Sequence, residues 1–267
     1  MQSFRKLMKN SKKIYLTIAG LCLVLGFVTL IIHNYKTKTS FKNDEKTSLT
    51  EEVKNPQDQV NQAVNSDAEA KTITGNKRDN SILKINSTDI VLGDKNAPVT
   101  IIEYASLSCP HCAAFHREAL EKLKAEYIDN KQVKFVHRDF PLNQPALTAG
   151  MFAICQAQDQ KAEFSEKYYN LLKALFKTQD SWAFDPKYIE KLQSIAQLDG
   201  MTLDRFNSCI NDKKLQERIL SERMIAAKGL QIQSTPTFFI NDEISEGYVD
   251  YLSIKKMVDK KLASASK

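Results

Sequence analysis

The sequence predicts an α/β fold in which helices cover both faces of a small mixed sheet, with a block of helices inserted between the two halves of that sheet. Three observations carry this reading. The apolar, β-branched run at residues 99–105 is followed by an amphipathic stretch from Ala113 and then by alternating apolar positions at residues 131–138. Strand, helix and strand in that order imply two parallel strands joined by a right-handed crossover. Strand signals then return only at residues 234–240, and the periodic segments between about 145 and 229 are all helical.

The elements follow in chain order. Residues 82–85 are read as an edge strand, and Gly93-Asp94-Lys95-Asn96-Ala97-Pro98 as the turn that feeds the strand at 99–105. The next helix is expected from Cys109 to about Tyr127, with Phe115, Leu120, Leu123 and Tyr127 on its apolar stripe. Pro141 and Pro145 break the pattern. The inserted block then reads as helices at 146–158 (Leu147, Met151, Ile154, Cys155), 163–176 (Phe164, Tyr168, Leu171, Leu172, Leu175) and from Asp185-Pro186 to Gly200. There Asp185 is taken as the cap and Pro186 as the first helical residue. A short helix opened by Thr202 carries Phe206, Cys209 and Ile210, and a last one spans 212–228 before Gly229. After 234–240, Asn241-Asp242 is a turn, 243–248 the hairpin partner and 251–262 a closing helix.

The folded part so defined is residues 82–267, preceded by two segments of different character. Residues 14–32 form a 19-residue run without a charged side chain, long enough to cross a bilayer, and Arg5, Lys6, Lys9, Lys12 and Lys13 stand before it with no acid. By the positive-inside rule, residues 1–35 are a cytoplasmic basic stretch and a transmembrane signal anchor. The rival reading is a cleaved signal peptide, but His33-Asn34-Tyr35 offers no small-x-small cleavage site. Both readings export the rest of the chain. Residues 36–81 hold eight basic and eight acidic side chains and a single aromatic, Phe41, so they are read as a disordered polar linker. Most of the formal charge of +6 resides in the first thirteen residues, which leaves the remainder near neutral and argues against a nucleic-acid partner.

The chemistry concentrates in Cys109-Pro110-His111-Cys112, at the junction of strand and helix. The first turn of a helix has unpaired N–H groups and the positive end of the macrodipole, so a thiolate on Cys109 is stabilised there. The thiolate is the nucleophile of disulfide exchange. Pro110 suits the first helical turn and has no N–H to lose, and His111 adds a donor or a nearby cation. These residues are read as a redox dithiol.

Cys-Pro-His-Cys at a strand-to-helix junction, Glu103 six positions before the first cysteine, a helical insertion and Thr235-Pro236-Thr237-Phe238-Phe239-Ile240 together resemble the DsbA-like thiol:disulfide oxidoreductases of the thioredoxin superfamily, over about residues 82–262. The resemblance implies a thioredoxin fold with an inserted helical domain, a surface-exposed Cys109, a buried Cys112 and a cis Pro236 facing the pair. Ser234 and Asn241-Asp242 depart from the family's usual glycines, which bears on loop geometry. The activity implied is disulfide transfer in the periplasm to exported proteins with reduced cysteines, at the inner membrane, with a membrane partner of the DsbB type restoring the Cys109–Cys112 disulfide. No cofactor or metal is expected. Glu103 is the candidate for moving the proton of Cys112, and a cis peptide between Thr235 and Pro236 would present backbone groups to an extended substrate. The alphaproteobacterial branch of the family carries a second cysteine pair in the insertion. Cys155 and Cys209 resemble it and are the candidates for a structural disulfide, favoured in an oxidising compartment.

Each assignment has a plainer alternative. Cys109 and Cys112 read alternatively as half of a zinc site with His116 as third ligand, although the sequence holds no second C-x-x-C and no H-x-H of suitable spacing. Glu103 reads equally as a satisfied buried acid, His111 as an exposed side chain, Pro236 as a trans edge-strand proline, His137 as structural, and Cys155 and Cys209 as two unpaired buried thiols. At the level of activity, an isomerase or reductase of the same superfamily is the runner-up and a copper metallochaperone the more distant one.

Overall fold

The computed structural model describes residues 78–158 and 164–265. The anchor at 1–35 and nearly all of the 36–81 linker lie outside the described residues. Among the described residues, no helix is long and apolar enough to cross a membrane.

Five strands form one mixed sheet: β1 (Val91–Leu92), β2 (Val99–Ala105), β3 (Val133–Asp139), β4 (Thr237–Ile240) and β5 (Glu243–Glu246), in the spatial order β1-β3-β2-β4-β5. The central pair β2 and β3 is parallel, in a register that sets Val99 beside Val133 and Glu103 beside His137. The other pairings are antiparallel. The helices are α1 (Pro110–Glu118), α2 (Leu120–Leu123), α3 (Gln144–Gln158), α4 (Phe164–Lys177), α5 (Tyr188–Leu198), α6 (Leu203–Ile210), α7 (Lys213–Gly229) and α8 (Tyr251–Ala265). Helices α3 to α7 lie between β3 and β4 in the chain, so the helical insertion separates a β-α-β half from a β-β-α half.

The two-residue period of the strands sorts their side chains into two cores. Val99, Ile101, Ala105, Val133, Phe135, Phe238 and Ile240 pack with residues of α1, α8 and the insertion. Ile102, Tyr104, Val136 and Phe239 pack on the opposite face with Ala226 of α7, Leu230 and Ile232. Glu103, His137 and Asp139 share the period of the first set, so the sheet turns them toward α1.

Local structure departs from the sequence reading in several places. Residues 82–85 are not an edge strand: Asn80–Leu83 is a 3-10 turn, and the edge is β1. Arg138 explains the difference. Its guanidinium donates to the carbonyls of Ile82 at 2.7 Å and Lys84 at 3.0 Å and pairs with Asp89 at 2.7 Å, so these carbonyls are satisfied by a side chain instead of a ladder. Ordered contacts also begin before residue 82, because Arg78 Nε donates to the Leu230 carbonyl at 3.1 Å. The single helix expected from Cys109 to Tyr127 is interrupted at Ala119, where φ is −107°, and ends in a π turn over Lys124–Ile128. Asp185 does not cap α5; its carboxylate takes the Lys187 N–H at 2.7 Å in a preceding turn, and the helix starts at Tyr188. Thr202 and Asp212 do cap α6 and α7, accepting from Arg205 N and from Lys214 and Leu215 N. Gly150 of α3 permits a close approach: a Cβ there would lie 2.8 Å from Asp139 Oδ1.

Candidate active site

Strand β2 ends at Ala105, and the chain turns through Ser106, Leu107 and Ser108 into α1. Cys109 occupies the N-cap position with extended backbone (φ −84°, ψ 121°), and Pro110 is the first helical residue. The loop is held from two sides. Cys109 N donates to Ser106 O at 3.0 Å, and the side-chain amide of Gln179 donates to the carbonyls of Leu107 at 2.7 Å and Cys109 at 3.1 Å. Gln179 lies in a 3-10 turn directly after α4 and is fully buried, so the insertion fixes the backbone that carries the first cysteine.

Both cysteines are free thiols. Cys112 is wholly buried. Cys109 is only 6% exposed, which corrects the surface-exposed position that the resemblance implied. The cover comes from the loop before β4: the Thr235–Pro236 peptide is cis, and Cys109 Sγ donates to the Thr235 carbonyl at 3.3 Å. The Thr235 hydroxyl is buried without a partner. His111 is exposed, its ring 6.4 Å from that of Tyr248, and what it brings to Cys109 is its backbone N–H.

The two thiols are electrostatically unequal. Cys109 is held at about 5, far below its ordinary value near 9. The largest cause is the hydrogen bond from the Cys112 thiol. Desolvation opposes it, and the Thr235 side chain and the backbone N–H groups of Cys112 and His111 assist it. Cys112 is pushed well up, first by burial, then by giving its hydrogen to Cys109 and by the nearby charge of Glu103.

Beneath the pair lies a cluster of ionisable groups. His116 Nε2 is 2.7 Å from Glu103 Oε2, and His137 Nδ1 is 3.3 Å from the same oxygen. His137 Nε2 is 3.5 Å from Asp139 Oδ1. Burial pushes the Glu103 carboxyl up, but the charge and hydrogen bonds of His116 and then His137 outweigh it, leaving the group ionised at about 2. An ionised carboxylate only accepts, so both imidazoles donate to it. Burial pushes His137 down, yet its hydrogen bonds to Asp139 and Glu103 raise it to about 9. Glu103 Oε1 has no partner. Removing both imidazoles would strand a buried carboxylate, a loss of about 3–5 kcal/mol.

Among the described residues, Glu103, His116 and His137 are the group of His, Cys, Asp and Glu side chains with ligating atoms close enough for a metal, within 4.8 Å of one another. His116 therefore stands with Glu103 and not as a third ligand beside Cys109 and Cys112. In the insertion, Cys155 of α3 and Cys209 of α6 are joined by a disulfide, with a Cα–Cα distance of 5.7 Å.

A family model described as thioredoxin matches residues 85–260. The crystal structure of alpha-DsbA1 from Wolbachia pipientis is 37% identical, covers 70% of this chain and 96% of its own, and superposes with a TM-score of 0.64. The chain belongs to the DsbA-like thiol:disulfide oxidoreductases of the thioredoxin superfamily. A Rickettsia typhi protein provisionally named a protein-disulfide oxidoreductase is 33% identical over 185 residues, 69% of this chain and 66% of the relative. The chain thus spans just under two thirds of the length of that curated relative. Oxidised BdbD from Bacillus subtilis, 21% identical with a TM-score of 0.58 over 70% of this chain and 96% of its own, shares the fold.

In this DsbA-like domain the residues that sequence reasoning passed over are Gln179 and the pairing of His116 and His137 with Glu103. Two signals were available for the histidines. His116 stands four residues after Cys112 on α1, one turn along the same face, and a parallel register of β2 with β3 sets His137 beside Glu103. No comparable signal marks Gln179, whose partners are about seventy residues away.

The unequal thiols predict a pH dependence. A thiol whose folded value is depressed stabilises the folded state above its unfolded value, and that contribution is lost as pH falls through the folded one. The stability of the reduced protein minus that of the oxidised protein, measured by thermal unfolding, therefore rises between pH 5 and 9, and the thiolate absorbance of the reduced protein titrates with a midpoint near 5. A midpoint near 9 would sink the assignment of Cys109 as the stabilised thiolate.

Proposed function

We propose that this protein is a dithiol oxidase that passes the Cys109–Cys112 disulfide to exported proteins with reduced cysteines. A substrate thiolate attacks Cys109, Cys112 leaves, and the second substrate cysteine displaces Cys109 from the mixed disulfide. The observation that carries the reading is the split between the thiols, Cys109 held at about 5 and Cys112 pushed above its ordinary value. Stabilising the Cys109 thiolate favours the reduced protein, and a couple whose reduced form is favoured is oxidising. The Thr235 carbonyl, at the sulfur and on the edge of a strand end, is suited to align an extended substrate beside it.

The same proposal places residues 36–267 in the periplasm, tethered to the inner membrane by residues 14–32, with a membrane partner of the DsbB type accepting the electrons from Cys109 and Cys112. The charge-free run and its basic flank support the tether. One preparation tests both parts. The full-length protein is recovered from the membrane fraction of cells, and its Cys109–Cys112 couple is equilibrated against glutathione. A couple more oxidising than glutathione, with turnover of a reduced, unfolded substrate protein, is expected. A strongly reducing couple, or faster repair of a scrambled substrate than oxidation of a reduced one, would replace the oxidase with the reductase or isomerase reading. Recovery of a soluble form that starts shortly after residue 33 would remove the tether.

A further inference from the structure

Residues 247–250, between β5 and α8, connect the two parts of the chain that meet at Cys109. Gly247 N donates to the Pro236 carbonyl at 2.8 Å, which fastens this loop to the one that carries the cis peptide and the Thr235 carbonyl. The next residue, Tyr248, lies against α1. Its hydroxyl donates to Glu118 Oε2 at 2.8 Å, and its ring is 6.4 Å from that of His111, tilted by 42°. His111 and Glu118 are two turns apart on one face of the helix, about 10 Å along its axis. Tyr248 bridges that distance. It is 40% exposed, and His111 and Glu118 are exposed with it. A shelf therefore runs outward from beside Cys109, aromatic at its near end and acidic at its far end.

The acid on this shelf lacks a counter-charge. Glu118 accepts from the Tyr248 phenol and is paired with no cation among the described residues. Asp250 adds a second carboxylate, partly answered by the Ser253 N–H at 2.9 Å and the Ser253 hydroxyl at 3.0 Å. The phenol is pushed above its ordinary value, first by its bond to Glu118, then by desolvation and the charges of Glu118 and Asp250, so both acids act at the ring. Other surface acids, such as Glu121, Glu126 and Glu243, are each paired with a lysine. An aromatic face beside an unpaired carboxylate suits a cation on an apolar stem. The stem lies along the ring and the charge reaches the acid.

We propose that Tyr248 and Glu118, with His111 beside Cys109, form a subsite for a lysine or arginine side chain of the substrate protein, close in sequence to its reacting cysteine. This rests on the thiol-exchange function proposed above and names the class of substrate it favours, cysteines in a basic stretch. An extended chain advances about 3.3 Å per residue, so a shelf of about 10 Å spans about three residues of it. The basic residue therefore stands one to three positions from the cysteine. A charge at the rim acts on encounter as well as on the bound complex, and the preference weakens as salt screens it.

The test uses the oxidised full-length protein and single-cysteine peptides with lysine, glutamine or glutamate two residues from the cysteine. Reduction of the Cys109–Cys112 disulfide is followed by alkylation of acid-quenched samples. Each rate is divided by that peptide's rate with a small neutral disulfide, which removes the effect of the added charge on the peptide's own thiol. The lysine peptide should react about 10-fold faster than the glutamate peptide, the combined size of an exposed ion pair and a cation–π contact. Glutamine should fall between them, and the spread should shrink at high salt. Glu118→Gln and Tyr248→Ala should each narrow the preference, and Glu118→Lys should invert it. The wild-type series decides alone if a variant fails to fold. Equal normalised rates for the three peptides, or a lysine preference that a folded Glu118→Lys retains, would overturn the subsite. A disulfide that none of the peptides reduces would instead overturn the function on which the subsite rests.

Discussion

Cys112→Ser accumulates mixed disulfides with substrate proteins, and Cys109→Ser accumulates none and loses oxidase activity to background. The expectation follows from the geometry of α1. Cys109 is the N-cap residue, in reach of the backbone N–H groups of His111 and Cys112, and has some exposure; Cys112 is one turn inside with none. In Cys112→Ser the Cys109 thiolate, the sulfur a partner meets first, attacks a disulfide of an oxidised substrate protein and displaces one of its sulfurs, and the mixed disulfide persists because no thiol at 112 can resolve it by returning to Cys109. Non-reducing gels of cells expressing each variant, with the trapped partners released by reductant, read the result. Mixed disulfides in Cys109→Ser and none in Cys112→Ser would reverse the assignment. Serine at 112 also removes the thiol hydrogen that Cys109 accepts, the largest single cause of its depressed value, so the Cys109 midpoint in this variant moves upward from about 5.

Replacing Cys155 and Cys209 together by serine removes about 4 kcal/mol of stability, by the chain-entropy account of a bond closing a segment of 54 residues. For a domain of this size the melting temperature falls by roughly 10 °C. Both positions are buried, at 5% and 1% exposure, so the serine hydroxyls also enter an apolar setting and do not soften the loss. Calorimetry of the double variant, or of wild type after selective reduction, measures this. An unchanged melting temperature, or alkylatable thiols at both positions in the unreduced protein, would sink it. The bond ties α3 to α6 within the insertion, and the same insertion, through Gln179, holds the Leu107 and Cys109 carbonyls. A modest shift of the Cys109–Cys112 potential therefore accompanies the loss of stability, while catalysis persists; an unshifted potential makes the bond purely structural.

Much of this molecule was legible in the chain because its signals are local. A β-branched run handing over to Cys-Pro-His-Cys specifies a helix N-terminus and the chemistry of the thiol in it. Helix boundaries in the insertion fell within a few residues of expectation where a cap residue marks them, as at Thr202 and Asp212, and missed where two turn-formers in a row, Asp185 and Pro186, imitate a cap. The misread edge strand at 82–85 fails for a different reason: its apolar residues fit a strand, but Arg138, more than fifty residues on, takes its carbonyls.

What the sequence by itself determined, then, is the dithiol, its place at a helix start, the helical insertion and the order of strands around it. Each follows from hydrophobic period, turn chemistry or capping within a few residues. What only the tertiary structure decided is the environment that makes the two thiols unequal. Thr235 reaches Cys109 across 126 positions, and Gln179 across 70. Glu103 finds His116 and His137 through a helix packing on a sheet and a parallel register. Shifts of ionisation depend on burial and on charges a few ångströms away. Those distances exist only once the two cores have closed.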